Sequence, residues 1–510
     1  MMVVGDHRCI AVLASNGWFE AMADFDVAII GGGLHGVCIA RDAAGRGLRV
    51  VLLEQQDLGG GAALAAGHLM HGNFMDLEQG NALRVRAALA ERDIGLRIAP
   101  HLVRPTRFVL PVHSEERPPA MLRAGIFVYG RLGSNGPLPR PETLDLTVHE
   151  MGHPLQRSLR LALAYSDCTV DESRLVVLNA VDAAARGATI RTGARCVRVD
   201  RSEVWKLAVV NRGRREIVTA RALVNASGAW TRTVAETVLH LPAVQANFTR
   251  VSQIVVRRMF DHDNVYALQN SDRRMIHVIP YQRDFTLIGV AEHVFAGDPA
   301  IVSAGSADIA YLCAAANRYF RERVEPADVV HAMSGVSVTG HRGGKLRGRR
   351  DEVMKLDRKY GEAPLLTVFG GVTTSARRRA ELALARLAPF FMTSPPWTAT
   401  KPLPGGDFHH EAFDDQIGLA RQRWAFLSER HARRLIAAYG TRVADILGAA
   451  KSMDDLGPLF GDDLTGAEVR YLMTTEWARF ADDILWRRSK LGLTMPAQDR
   501  EALATFMAAA

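Results

Sequence analysis

Cysteine is scarce in this chain: Cys9, Cys38, Cys168, Cys196 and Cys313 are five in number, with no C-x-x-C spacing. An odd set without paired spacing excludes a disulfide framework and a cysteine zinc site, and it fits a reducing compartment. No apolar run approaches the roughly 18 residues of a spanning helix, so membrane contact is expected to be peripheral. No internal repeat occurs. Aromatic residues are only 7% of the chain, and with no nucleic-acid motif beside them nucleic acid ranks last among partners. What remains is ordinary globular material: 48% hydrophobic and 23% charged over 510 residues, enough for two or more domains.

The net charge of +8 is modest but uneven. Arg342, Lys345, Arg347, Arg349 and Arg350 fall within nine residues, and Arg377, Arg378 and Arg379 are consecutive. Such loops meet an anionic substrate or an acidic membrane surface, or are simply solvated.

The most informative stretch is Phe25 to Glu54. Val27 to Ile30 is an apolar run, the pattern of a strand buried on both faces of a parallel sheet. Gly31, Gly33 and Gly36 follow in G-x-G-x-x-G spacing, then a helix, then the strand Leu48 to Leu53. The first glycine permits a tight turn, the second admits a pyrophosphate to the backbone, and the third lets the helix pack on the strand. Free N–H groups and the positive end of the helix dipole then face the phosphates. Glu54, 18 residues past Gly36, stands where an acid accepts from a ribose 2′-hydroxyl and repels a 2′-phosphate. The motif therefore predicts FAD or NAD rather than NADP.

Residues 1–24 precede the fold. Met22 opens a natural start, M-A-D-F-D, so the preceding residues are expected to be an extension or a misassigned start. Gly59 to Asn73 is rich in glycine and alanine, which suits a loop lying close to a ligand. Asn81 to Ile98 has helical periodicity. Ala222 to Asn225 reads as a buried strand closing on Ala226-Ser227-Gly228. Ile276 to Tyr281 and Phe285 to Val290 read as an antiparallel sheet roofing a substrate cavity. Leu365 to Gly371 is another buried strand, whose glycines Gly370 and Gly371 and following Thr373 and Thr374 open a helix from Arg377 to Leu387. A proline-rich linker at 393–406 separates residues 25–392 from a helical segment, 407–510, in which Gly466 to Ser489 reads as helix.

With these residues in hand, the chain resembles the FAD-dependent, quinone-linked glycerol-3-phosphate dehydrogenases from about Asp24 onward. The blocks that carry the resemblance are FDVAIIGGG with ARDAAGRGL, YSDCTVDESRLV, LVNASGAW, APLLTVFGG and EWARFADDILWRRSKLG. The resemblance implies a mixed α/β fold: a Rossmann-like FAD-binding domain interleaved with an antiparallel-sheet substrate domain, plus a helical C-terminal domain. It implies FAD held at Gly31, Gly33, Gly36, Glu54, Ala226, Ser227, Gly228, Gly370, Gly371, Thr373 and Thr374, with no metal. It also implies hydride transfer from sn-glycerol 3-phosphate to the flavin, giving dihydroxyacetone phosphate, with electrons passed to quinone. The expected location is cytoplasmic, peripheral on the inner face of the cell membrane.

The substrate side departs from the family pattern. Where the family has Lys-Leu-Ile-His-Gly-Gly then Leu-Arg-Tyr-Leu, this chain keeps His71-Gly72 but carries His68 for Lys and Met75-Asp76 for Arg-Tyr. Ser337 stands for an arginine, Val372 for a lysine, Ala376 for a tyrosine and Gln253 for a histidine. Of the phosphate-binding arginines one is retained, as Arg350. The catalytic candidates are thus His71 and Arg350, with His68 and Asp76 as alternative bases and Arg377 near flavin or substrate; Arg378 and Arg379 are expected to be solvated. His71 reads equally as a base, a flavin neighbour or a packed loop residue. Each charge-assisted contact is worth roughly 1.5–3 kcal/mol, so three losses remove about 5–9 kcal/mol of transition-state stabilisation unless replaced. Two alternatives stay open: a flavin oxidoreductase for another alcohol or amine, and an inactive FAD-binding paralogue.

Overall fold

Strand Phe25–Ile30 sits in the middle of an eight-stranded sheet. On one side it pairs in parallel with Val50–Glu54, which pairs with Thr189–Thr192; on the other it pairs with Arg214–Asn225, which pairs with Leu365–Phe369. Val27, Ala28 and Ile29 are fully buried, as a strand covered on both faces requires. Helix Leu34–Gly45 covers one face together with Glu172–Ala185 and Ala376–Leu387. The molecule is a computed structural model in which residues 23–113, 117–133, 138–242, 244–340 and 352–509 are described. The basic run at 342–350, Arg350 included, and the extension before position 23 lie outside them.

The second sheet has nine strands. Met275–Tyr281 and Phe285–Val294 run antiparallel, as their sequence predicts, and Ala246–Arg257 and Val329–Gly340 extend that antiparallel sheet. One pair breaks the rule: Val265–Gln269 lies parallel to Val103–Pro111. The chain crosses between sheets several times, which interleaves the two units, and both contribute walls to one cavity.

Beyond the proline-rich stretch, helices Phe413–Arg423, Glu429–Tyr439, Gly466–Thr475 and Ala497–Ala509 enclose a separate apolar core. The helix expected from Gly466 to Ser489 is broken. It stops at Thr475, Trp477 takes a left-handed conformation at φ 58°, and the chain resumes in a widened turn in which Ser489 N–H donates to the Ile484 carbonyl at 2.9 Å. The cause is Glu476, fully buried and held by Arg174 from the first unit. The segment 393–406 is pinned as well: Leu403 N–H donates to the Ile98 carbonyl at 2.7 Å, and Trp397 is covered by the guanidinium groups of Arg41 and Arg186.

Candidate functional site

Gly31 has φ 112°, open only to glycine, and its N–H donates to the Leu53 carbonyl at 2.9 Å. A Cβ on Gly36 would fall 1.9 Å from the Gly31 carbonyl oxygen, so the helix lies directly on the turn. At Gly33 no atom lies within 4 Å of where a Cβ would be. Gly33 is also the N-cap and offers no side chain to the helix's first N–H groups, which leaves them for a ligand. Glu54 accepts from the N–H of Gly32 at 2.7 Å and of Gln56 at 2.8 Å, which fixes its carboxylate at the end of the second strand.

These groups line a cavity of about 1500 Å³. It runs from Gly193, Arg195 and Arg212 past Gly31, Gly33, Glu54, Ala226, Ser227 and Gly228 to Gly370, Gly371, Thr373 and Thr374, and on to His71, Met75, His277 and Ser337. Drug-sized ligands fill roughly 300–1,000 Å³, so this volume accommodates a dinucleotide with a substrate beside it. The uncovered helix N-terminus, the open face of Gly33 and the fixed acid fit FAD at the expected positions. Gly36 is not itself among the lining residues; it acts through packing.

Gly370 and Gly371 form a left-handed turn at φ 75° and 89°. Behind it lies Arg379, which corrects the expectation that this residue is solvated: it is 2% exposed and donates to the Phe369 carbonyl at 3.0 Å and the Val353 carbonyl at 3.2 Å. Arg378 is exposed as expected. Arg377 turns away from the cavity to Glu91 at 2.6 Å and Glu381, so it joins helices and does not line the site.

His71 lines the cavity, and its carbonyl accepts from Thr374 Oγ1 at 3.2 Å, which ties it to the segment that follows the Gly370–Gly371 turn. The adjoining Gly72 N–H donates to the Tyr129 hydroxyl at 2.7 Å; Tyr129 donates to Asp167, which pairs with Arg92. That buried chain fixes the His71 loop from behind. Met75, Asp76, Ser337 and Val372 all line the cavity, so four of the seven positions that depart from the family pattern gather in one place, and Ala376 is not among them. Nor is His68. Its ring lies against Tyr281, outside the cavity lining, and burial pushes its pKa down to about 4. Gln253 is likewise turned aside, donating to the Ala66 carbonyl at 2.7 Å.

Sequence reading missed two residues. Glu172 accepts from Thr373 Oγ1 and, at 3.3 Å, from the His68 N–H, bridging two loops of the cavity; burial pushes its carboxyl up to about 8, so it is largely protonated at neutral pH. His277 lines the cavity opposite His71, with ring centroids 6.1 Å apart, and burial lowers it to about 4. Only the apolar, alternating setting of H-V-I-P-Y marked His277 as a residue whose side faces a cavity.

Comparison with known proteins agrees with this architecture. A family described as FAD dependent oxidoreductase matches residues 26–374, and one described as the C-terminal domain of alpha-glycerophosphate oxidase matches residues 396–510. The chain is 41% identical to a glycerol-3-phosphate dehydrogenase of Pseudomonas aeruginosa, with 95% of each chain covered. It is 39% identical to a D-erythritol 1-phosphate dehydrogenase of Brucella abortus, covering 94% of this chain and 96% of that one. It is 36% identical to the aerobic glycerol-3-phosphate dehydrogenase of Escherichia coli, covering 94% and 97%. The structure of a glycerol-3-phosphate dehydrogenase from Bacillus halodurans complexed with FAD shares the fold at a TM-score of 0.74 and 21% identity, over 95% of this chain and 90% of that one. The cavity, its glycine cradle and these matches place the chain in the FAD-dependent oxidoreductases, within the glycerol-3-phosphate dehydrogenase family.

Proposed function

We propose that this enzyme oxidises the secondary alcohol of a small polyol phosphate, in the manner of sn-glycerol 3-phosphate to dihydroxyacetone phosphate, and passes the electrons to membrane quinone. The observation that carries the reading is the continuity of one cavity from the dinucleotide cradle to His71 and His277, with arginines at its rim. Bound FAD supplies the acceptor for the hydride of the carbinol carbon. The His71 ring, held by the Thr374 and Tyr129 contacts of its loop, takes the hydroxyl proton. The sheet above and the loop of Gly59 to Gly67 exclude water. Arg350 is proposed to add a phosphate contact.

A place on the cytoplasmic face of the membrane is supported by helix Pro119–Leu132, which the sequence reading did not mark as an anchor. Met121, Phe127 and Val128 are exposed beside Arg123 and Arg131, with no acidic residue on the helix. An anionic bilayer complements such a face. No helix among the described residues is long and apolar enough to cross a membrane. Co-sedimentation with phosphatidylglycerol vesicles at low salt, lost on Phe127→Asp, is the expected result; recovery in the supernatant at low salt would remove the proposal.

Steady-state assay with a soluble quinone analogue tests the reaction. Reduction driven by sn-glycerol 3-phosphate is expected, with glycerol itself far slower. Turnover only with unphosphorylated alcohols or amines would assign another substrate, and no turnover with any would mark an FAD-binding paralogue.

A further inference from the structure

Strand Met275–Tyr281 presents two faces to different surroundings. Ile276 and Val278 are fully buried in a core shared with helix Ser306–Asn317. Met275 and His277, of the opposite parity, line the cavity. The residue directly across from His277 on the neighbouring strand is Gly289, so no side chain from that position covers the imidazole.

Arg273 lies in the turn two residues before strand Met275–Tyr281 and also lines the cavity. It is exposed, has φ 65°, and its guanidinium has no partner among the described residues. Its neighbour Arg274 is already engaged, with Asp272 at 3.5 Å and the Glu292 carbonyl at 2.9 Å. Arg84, near the start of helix Ala82–Ile98, reaches the same cavity from the other side, again exposed and without a partner among the described residues. The two sides are stitched together by Arg117, whose Nη2 donates to Glu78 at 3.1 Å and to the Arg273 carbonyl at 3.3 Å. Two exposed guanidinium groups without a partner among the described residues therefore line the same cavity. Met75, Ser337 and Val372, which line the cavity along with Asp76, supply no cation.

We propose that Arg84 and Arg273 form an anion clamp at the cavity rim and that His277 contacts the hydroxyl end of the same substrate, so that this site takes anionic polyols long enough to reach both. The inference rests on the polyol phosphate reading above and adds which residues recognise the substrate and how long it is. Arg273 sits in the turn that precedes strand Met275–Tyr281, four residues ahead of His277, so the chain lets their Cα atoms stand at most about 13–14 Å apart. Both residues line the one cavity, so a single extended substrate can meet the two. Carbon–carbon bonds of about 1.5 Å lengthen an extended chain by slightly less than that each. Four- and five-carbon polyol phosphates span the gap more fully than three-carbon ones. Guanidinium groups suit a phosphate dianion through paired N–H donors.

The test uses the FAD-loaded protein. Calorimetry with inorganic phosphate and with the three-, four- and five-carbon polyol phosphates reads binding, and anaerobic flavin reduction reads turnover. Arg84→Gln and Arg273→Gln are each expected to weaken phosphate and polyol phosphate binding about tenfold or more, with binding of the unphosphorylated polyols unchanged. Both positions are exposed, so flavin content is expected to stay at the level of the unsubstituted protein. His277→Phe is expected to slow reduction at least tenfold, to alter its pH profile, and to leave inorganic phosphate binding intact. Unchanged phosphate affinity in both arginine variants would overturn the clamp, and tighter binding of the three-carbon compound than of the longer ones would overturn the length. Should no polyol phosphate reduce the flavin, the functional reading fails, yet phosphate binding that weakens in the arginine variants still supports the clamp.

Discussion

A single methyl group at position 36 would collide with the Gly31 carbonyl at 1.9 Å, and backbone cannot yield as a flexible side chain does. Gly36→Ala is therefore expected to part the first helix from its strand and leave purified protein with little or no flavin, read by absorbance near 450 nm; full flavin content would contradict the packing argument. Glu172 carries a second expectation. Its folded pKa, about 8, lies above the ordinary 4.5, so the protonated carboxyl favours the fold at low pH, and that contribution is lost as pH rises through about 8. At 1.36 kcal/mol per unit the ceiling is about 4–5 kcal/mol. In denaturant unfolding of the apoprotein, Glu172→Gln is expected to gain stability over the unsubstituted protein between pH 5 and 9, and a constant difference across that range would contradict the assignment. The glycines and Glu54 were legible in the sequence because each acts on its own turn. Glu172, His277 and Arg379 were not, since their roles depend on partners such as Thr373, His71 and Phe369, two of them some 200 residues away in the chain. The three consecutive arginines show the limit: one faces solvent, one joins helices and one supports the Gly370–Gly371 turn, which helix rotation decides and composition does not.

Among elements, strands read well because apolar runs and alternation follow from burial on two faces or one. Helix Pro119–Leu132 went unmarked because its exposed apolar residues blur the periodicity. The break at Trp477 escaped notice for a different reason. It serves a contact between distant elements: Arg174 pairs with Glu476 and donates to the Ala438 carbonyl at 2.8 Å, both side chains being at most 1% exposed. Arg488 with Asp57 at 2.6 Å and Lys490 with Asp171 complete the seam. Removing one member of a buried pair strands the other charge, so Arg174→Met is expected to cost about 3–5 kcal/mol in denaturant unfolding. The double variant Arg174→Met with Glu476→Leu is expected to recover most of that loss. A single variant as stable as the unsubstituted protein would show that the pair does not hold the helices to the first unit.

At the scale of the whole molecule, burial pushes His35 and His101 down to about 3 and His68 and His277 down to about 4, which keeps these rings neutral. Each binds its proton in the unfolded chain near pH 6.5, so their contribution is full above that pH and is lost as pH falls toward 4. Stability measured at pH 4.5 is expected to fall below that at pH 7, and an equal value would contradict the burial of these rings. The same fold brings a dinucleotide cradle and a substrate chamber into one cavity, and the central claim is that the two work together on a phosphorylated alcohol. Anaerobic titration of the FAD-loaded protein with sn-glycerol 3-phosphate and its longer homologues tests this most directly. Loss of flavin absorbance with about one equivalent of a polyol phosphate, and none with the unphosphorylated polyol, is the expected result. A flavin that stays oxidised with every polyol phosphate would contradict the account.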